Sequence, residues 1–160
     1  VDIMIGQDVF VGVSAPSIVT SSMIQSMNDD PIIFALANPE PEIDVDVALA
    51  AGARVVASGR SDYPNQVNNV LGFPGIFRGA LDVSATAIND AMKIAAAQAI
   101  AGLIGDTELR PDYVIPSPFD KRVVPEVAAA VGMAATETAV ARKTLTKQEI
   151  RKKASDWIAR

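Results

Sequence analysis

Residues 31–39 read PIIFALANP. An apolar run this short, rich in branched side chains, suits a strand buried on both faces better than a helix. The same pattern lies on either side of it. DVFVGVSA, residues 8–15, is a second short apolar run with β-branched residues, and ARVVASG, residues 53–59, is a third. Helical segments separate them: SIVTSSMIQSMN, residues 17–28, and a short helix around DVDVALAAG, residues 44–52. Apolar strands alternating with helices predict an α/β fold with a parallel sheet covered on both faces.

The character changes after Gly59. Residues 66–102 read as two long helices, joined or bent near Asp82. AINDAMKIAAAQAIAGLIG, residues 87–105, is alanine-rich with apolar residues at helical spacing. DYVIPSPFD, residues 112–120, reads as a short strand or an extended segment, because the prolines beside it forbid a helix interior. VVPEVAAAVGMAATETAVARK, residues 123–143, reads as an amphipathic helix with Pro125 in its first turn. Thr146 and Glu149 have capping-box spacing ahead of a last helix that ends in Trp157.

With 160 residues, 49% of them hydrophobic and 21% charged, the chain can bury a core and is one domain or a piece of one. It does not begin with methionine, which points to a start inside a longer protein. VDIMIGQDVF lacks the basic start and cleavage site of a signal peptide, and no apolar run is long enough to span a bilayer. A cytoplasmic location is therefore expected, with no membrane partner. The net charge is -5, although residues 141–160 carry seven basic groups against Glu149 and Asp156. So acidic a body argues against a nucleic-acid partner, and the basic end reads as a solvated helix face. The chain has no cysteine and no histidine. That removes disulfides, thiolate nucleophiles and Cys/His zinc patterns, and leaves carboxylates, lysines and tyrosines for any proton transfer.

Ligands of an open α/β sheet bind outside the carboxyl ends of its strands. Three loops are predicted there, side by side: Ser14–Pro16, Ala37–Pro39 and Ser61–Asn69. Ser14 can bond a ligand or merely shape a turn. Asn38, held extended by Pro39, can project its amide or simply start a turn. Asn65 is expected to cap a helix that starts at Gln66, which puts Asn68 and Asn69 in its first turns. Side chains there lean toward the helix N-terminus, where a carboxylate or phosphate is favoured. An uncharged amide offers both a donor and an acceptor to such a group. Arg60 and Arg78 read as salt-bridge partners, Asp62 and Tyr63 as solvated loop groups, and Asp44 with Asp46 as an acidic helix start rather than a metal pair. GFPG, residues 72–75, supplies glycines for close backbone packing.

Taken together, DVFVGVSAP, PIIFALANPEPEI, AGARVVASGRSDYPNQVNNVLGFPGIFRGALDV and YVIPSPFDKRVVPEVAAAV resemble the carboxy-terminal part of a malic enzyme of the compact bacterial type, from about Asp8 to Lys143. One departure is Ser17, where the family usually has glycine. The resemblance implies the second half of a Rossmann-like, doubly wound NAD(P)-binding domain. Residues 1–110 would be the carboxy-terminal half of that domain, and residues 111–160 an extended segment and helices that complete it. It implies oxidative decarboxylation of malate to pyruvate and CO2 with NAD or NADP and a divalent metal, Mg or Mn, as Lewis acid. By resemblance, Asn38 and Asn69 hold substrate and the nicotinamide end of the cofactor, Ser14 and Ala15 line the cofactor path, and Asn68 is a further cofactor contact. The catalytic lysine and tyrosine, the metal ligands and the glycine-rich dinucleotide turn would lie upstream. No G-x-G-x-x-G occurs here, and Lys93 and Tyr63 do not match the catalytic positions. The expected partners are malate or pyruvate, the upstream part of the enzyme, and further copies of the same chain. On its own the chain is expected to be inactive. The alternative is a self-associating dinucleotide-binding or assembly module without catalysis, since a three-strand half-sheet has an open side to cover.

Overall fold

A computed structural model describes residues 2–159, which divide into two compact units. Of these, residues up to 67 together with 108–115 form the first, and residues 68–107 with those from 116 onward form the second.

The first unit is built on a three-stranded parallel sheet. Its strands are β1 (Val9–Gly12), β2 (Ile32–Ala35) and β3 (Val55–Ser58), in the order β1-β2-β3. The register pairs Val9 with Ile32 and Ile32 with Val55, so the three strands end level at Gly12, Ala35 and Ser58. Ile33 and Ala35 of β2 are fully buried, as expected of a central strand. Two short helices cross between the strands: α1 (Ser21–Gln25), capped by Thr20, and α2 (Val45–Ala50), capped by Asp44. Ile24 of α1 and Val45 and Ala48 of α2 close the core over the sheet.

The segment predicted as one helix from residue 17 to 28 is thus helical only from Ser21. Ser17 stands at φ 57 and its N–H is bonded to the Pro41 carbonyl at 3.1 Å, so the chain turns there before the helix begins. That is the left-handed region in which glycine carries no penalty. A helix beginning at Gln66 does not form either. Gln66 bridges in parallel to Ser58, and Val67 donates to the Ser58 carbonyl at 2.8 Å, so the chain continues past β3 as an extended return. Residues 112–120, read as a short strand or an extended segment, hold no strand of the sheet; Arg110 and Tyr113 form only an isolated bridge.

The second unit is helical. A 3₁₀ turn, Asn69–Leu71, leads into α3 (Phe73–Asp82), followed by α4 (Asp90–Ala101), α5 (Val123–Glu137) and α6 (Lys147–Ile158). The break between α3 and α4 follows Asp82, where a bend was expected, and Asn89 caps the second helix through Met92 N–H. Helix α5 ends at Glu137 instead of Lys143, because Ala139 turns to φ 57. The capping box of α6 is present: Thr146 accepts from Glu149 N–H, and Glu149 accepts from Thr146 N–H at 2.7 Å. Packing within this unit depends on small residues. A Cβ on Gly75 would stand 2.6 Å from Val127 Cβ, and one on Gly79 would strike the Ala128 carbonyl. These two glycines, one helical turn apart on α3, let it approach α5 closely; Gly72 has no such neighbour. No helix among the described residues is long and apolar enough to cross a membrane.

Candidate functional site

Ser14, Ala15 and Asn38 lie just past the carboxyl ends of β1 and β2, at one edge of the sheet. The ladder between these strands closes with Leu36 N–H to the Gly12 carbonyl at 3.0 Å. Beyond that rung the backbone N–H groups of Ser14 and Ala37 have no sheet partner. Both turn to the carboxylate of Glu42, at 2.8 Å from Ser14 and 3.0 Å from Ala37, one to each oxygen. Glu42 is fully buried. Burial pushes its carboxyl up, but the N–H groups of Ala37 and Ser14 outweigh this and hold it below the usual glutamate range. The Asn38–Pro39 bond is cis. Ser14 and Asn38 are exposed, and among the described residues neither side chain makes a hydrogen bond, so both remain free for a ligand.

Glu42 was not singled out in the sequence, where PEPEI looks like an acidic loop. It lies between Pro41 and Ile43, and the structure buries all three.

The loop after β3 is held by internal contacts. Arg60 pairs with Asp62 through Nη2 at 2.5 Å and lies over the Tyr63 ring, 5.1 Å from its centroid. The bond to Arg60 lowers the Asp62 carboxyl and raises the Arg60 guanidinium. Tyr63 donates to Asp46 at 2.8 Å, and that bond raises its phenol. Asp44 is committed to capping α2, with its Oδ1 on the N–H groups of Asp46 and Val47. Among the described residues no group of three or more His, Cys, Asp or Glu is placed to hold a metal ion.

Asn65 is not a helix cap. It is buried, sits at φ 54, and its amide joins three separate backbone groups. Nδ2 donates to the carbonyls of Val56 at 3.1 Å and Pro111 at 2.8 Å, while Oδ1 accepts from Val114 N–H at 2.8 Å. It therefore fastens residues 108–115 to β3. The capping role falls to Asn68, whose Oδ1 accepts Val70 N–H at 3.0 Å at the start of the 3₁₀ turn in the second unit. Asn69 is the first residue of that turn; it is exposed, and its amide has no hydrogen-bond partner among the described residues. Arg78, on α3, is paired with Asp82 one turn on, as a structural bridge should be.

A family model described as the malic enzyme NAD binding domain matches residues 2–140. The chain belongs to this family. It is 62% identical over 152 residues to the bifunctional malic/malolactic enzyme of Bacillus subtilis, covering 95% of this chain and 37% of that protein. It is 56% identical over 142 residues to the NAD-dependent malic enzyme of Geobacillus stearothermophilus, covering 89% of this chain and 30% of that one. The crystal structure of malic enzyme from Pyrococcus horikoshii superposes with a TM-score of 0.90 at 45% identity, covering 97% of this chain and 36% of that one. That of Entamoeba histolytica superposes at 0.94 and 42% identity, covering 99% and 33%. The chain thus spans about a third of the length of each of these four proteins. Its parallel sheet and helices are those of the family's Rossmann-like NAD-binding domain, in agreement with the fold expected from the sequence.

Proposed function

We propose that this chain is the carboxy-terminal part of an NAD(P)-dependent, malate-decarboxylating enzyme and supplies groups that face the substrate and the nicotinamide. The observation that carries this reading is the match of residues 2–140 to the malic enzyme NAD binding domain, with relatives that are named malic enzymes. Residues 1–110 are the second half of the cofactor-binding domain in this reading, and residues 111–160 complete it.

The residues present suit one end of the cofactor. Asn38 offers an exposed, unpartnered amide at the carboxyl edge of the sheet, and Ser14 an exposed hydroxyl on the neighbouring loop. An amide can bond a carboxamide or a carboxylate, and a backbone turn such as Ser14–Ala15 can lie against a flat ring. When bound, NAD or NADP supplies the acceptor for the hydride leaving the hydroxyl-bearing carbon of malate. The chain's own part is orientation: Asn38 and Asn69 hold the substrate and the carboxamide, Ser14 and Ala15 line the nicotinamide path, and Asn68 is a further cofactor contact. A divalent metal is part of this reading, but the described residues do not suit one; its ligands, together with the proton-transferring lysine and tyrosine, belong to the upstream part of the enzyme. Val9 and Val11 of β1, and Val13 just beyond it, are exposed, which supports a further part of the polypeptide covering this apolar face. Self-association goes with this reading too, supported by the exposed Phe73, Phe77 and Leu81 along one face of α3. So does a cytoplasmic location.

The test is turnover. The full-length polypeptide carrying this chain, given malate, NAD or NADP and manganese, should form reduced cofactor and pyruvate; the 160-residue chain alone should form neither. Asn38→Ala and Asn69→Ala in the full-length polypeptide should each lower kcat/KM about 10- to 100-fold, the value of a hydrogen bond to a charged group. Activity of the isolated chain, or full activity in both variants, would overturn the reading.

A further inference from the structure

Where β1 and β2 stop pairing, the next rung is not backbone to backbone. It is Glu42. Its two carboxylate oxygens take one N–H from each diverging loop, Ser14 at 2.8 Å and Ala37 at 3.0 Å. Its own carbonyl accepts Val19 N–H at 3.0 Å, so the same residue also fixes the far end of the loop after β1. The fold makes room for the carboxylate at one place: a Cβ on Gly12, the last residue of β1, would stand 2.5 Å from Glu42 Cδ and 2.6 Å from Oε1. A charged group that is fully buried persists only where its hydrogen bonds replace water. Here they do so by holding two loops at a set separation, the width of one carboxylate.

We infer that Glu42 is a positioning residue for the nicotinamide end of the cofactor site: it sets the gap between the Ser14–Ala15 turn and Asn38, which follows Ala37 directly. This rests on the functional reading above. The bidentate arrangement explains why a carboxylate is used. A glutamine in its place would keep one acceptor but turn an NH2 group toward the second N–H, and that loop would move. Ser14 is anchored by its main chain alone, so its hydroxyl stays available, and Asn38 is placed without spending its amide on the protein.

The test separates the two ends of the cofactor. The full-length polypeptide and its Glu42→Gln variant are titrated calorimetrically with the reduced dinucleotide and with ADP-ribose, which keeps the adenosine and pyrophosphate but lacks the nicotinamide. Affinity for the dinucleotide should fall about tenfold, that of one lost charge-assisted bond, while ADP-ribose affinity stays within about twofold. Gly12→Ala, which displaces the carboxylate without altering its chemistry, should give the same selective loss. Equal losses for both ligands, or none for either, would mark Glu42 as scaffold only and overturn the inference. So would loss of fold in both variants. A wild-type protein that binds neither ligand would overturn the functional reading and this inference with it; a wild type that binds both, with an unchanged ratio in both variants, would overturn the inference alone.

Discussion

Replacing Asn65 should be far more damaging than its place in a polar loop suggests. Its amide makes three hydrogen bonds, to Val56, Pro111 and Val114, and its backbone is left-handed at φ 54. Each of these bonds contributes about 1 kcal/mol net, and an alanine held in the left-handed region costs roughly 1 kcal/mol more. Two of the bonds share one nitrogen and are not independent, so Asn65→Ala should lose about 3 kcal/mol of the first unit's stability. Asn65→Gly loses the same bonds without the backbone penalty and should be milder by about 1 kcal/mol. Asn65→Asp keeps the acceptor for Val114 but aims an oxygen at two carbonyls. At neutral pH it should be the worst of the three. Protonation restores a donor, so its folded-state carboxyl is raised, and its stability should be greatest below the unfolded value of about 3.9 and fall as pH rises past it. Urea denaturation and native-state hydrogen exchange at Val114 N–H measure all of this. An Asn65→Ala variant within about 0.5 kcal/mol of wild type would refute the hydrogen-bond argument, the usual range for an inert surface change. Equal losses for alanine and glycine would refute the backbone argument.

Three further outcomes follow from particular contacts. Gly75→Ala should destabilise the second unit by roughly 1–2 kcal/mol in thermal unfolding, because overpacking against Val127 outweighs the gain in helix propensity. Ser17→Gly should stabilise by about 0.5–1 kcal/mol, since φ 57 suits glycine and the serine side chain has no hydrogen bond to lose among the described residues. Glu42 has a lowered carboxyl in the folded state, so its contribution is present above the unfolded value of about 4.3 and is lost as pH falls through the folded value. The urea midpoints of wild type and Glu42→Gln should therefore differ at pH 7 and converge at acid pH.

The sheet was legible because its evidence is local. PIIFALANP and its two neighbours are apolar runs bounded by turn residues, and all three became strands of one parallel sheet. The capping box at Thr146 was equally plain, since both partners fall within one helical turn. What sequence could not give were roles set by distant partners. Asn65 looked like a cap because asparagine before an apolar run often is one, but it bonds residues 46 and 49 positions away. With Asn65 turned inward, the helix expected at Gln66 has no start there, and α3 begins instead at Phe73, with Pro74 in the first turn as a ready signal. Glu42 was invisible for the same reason. Its partner Ser14 lies 28 residues away on another loop, and an acid among prolines has no periodicity to betray burial. The exposed Asn38 was legible as a candidate because Pro39 forces its position.

If this chain serves an enzyme that moves hydride from malate to a nicotinamide, the hydrogen on the hydroxyl-bearing carbon must reappear on the cofactor. The most direct measurement is isotopic: [2-²H]malate and the oxidised cofactor are incubated with the full-length polypeptide, and the products are examined by NMR and mass spectrometry. Deuterium is expected at the 4-position of the reduced nicotinamide, with unlabelled pyruvate and one CO2 for each. Malate consumed without deuterium on the nicotinamide, or not consumed at all, would contradict the proposed function.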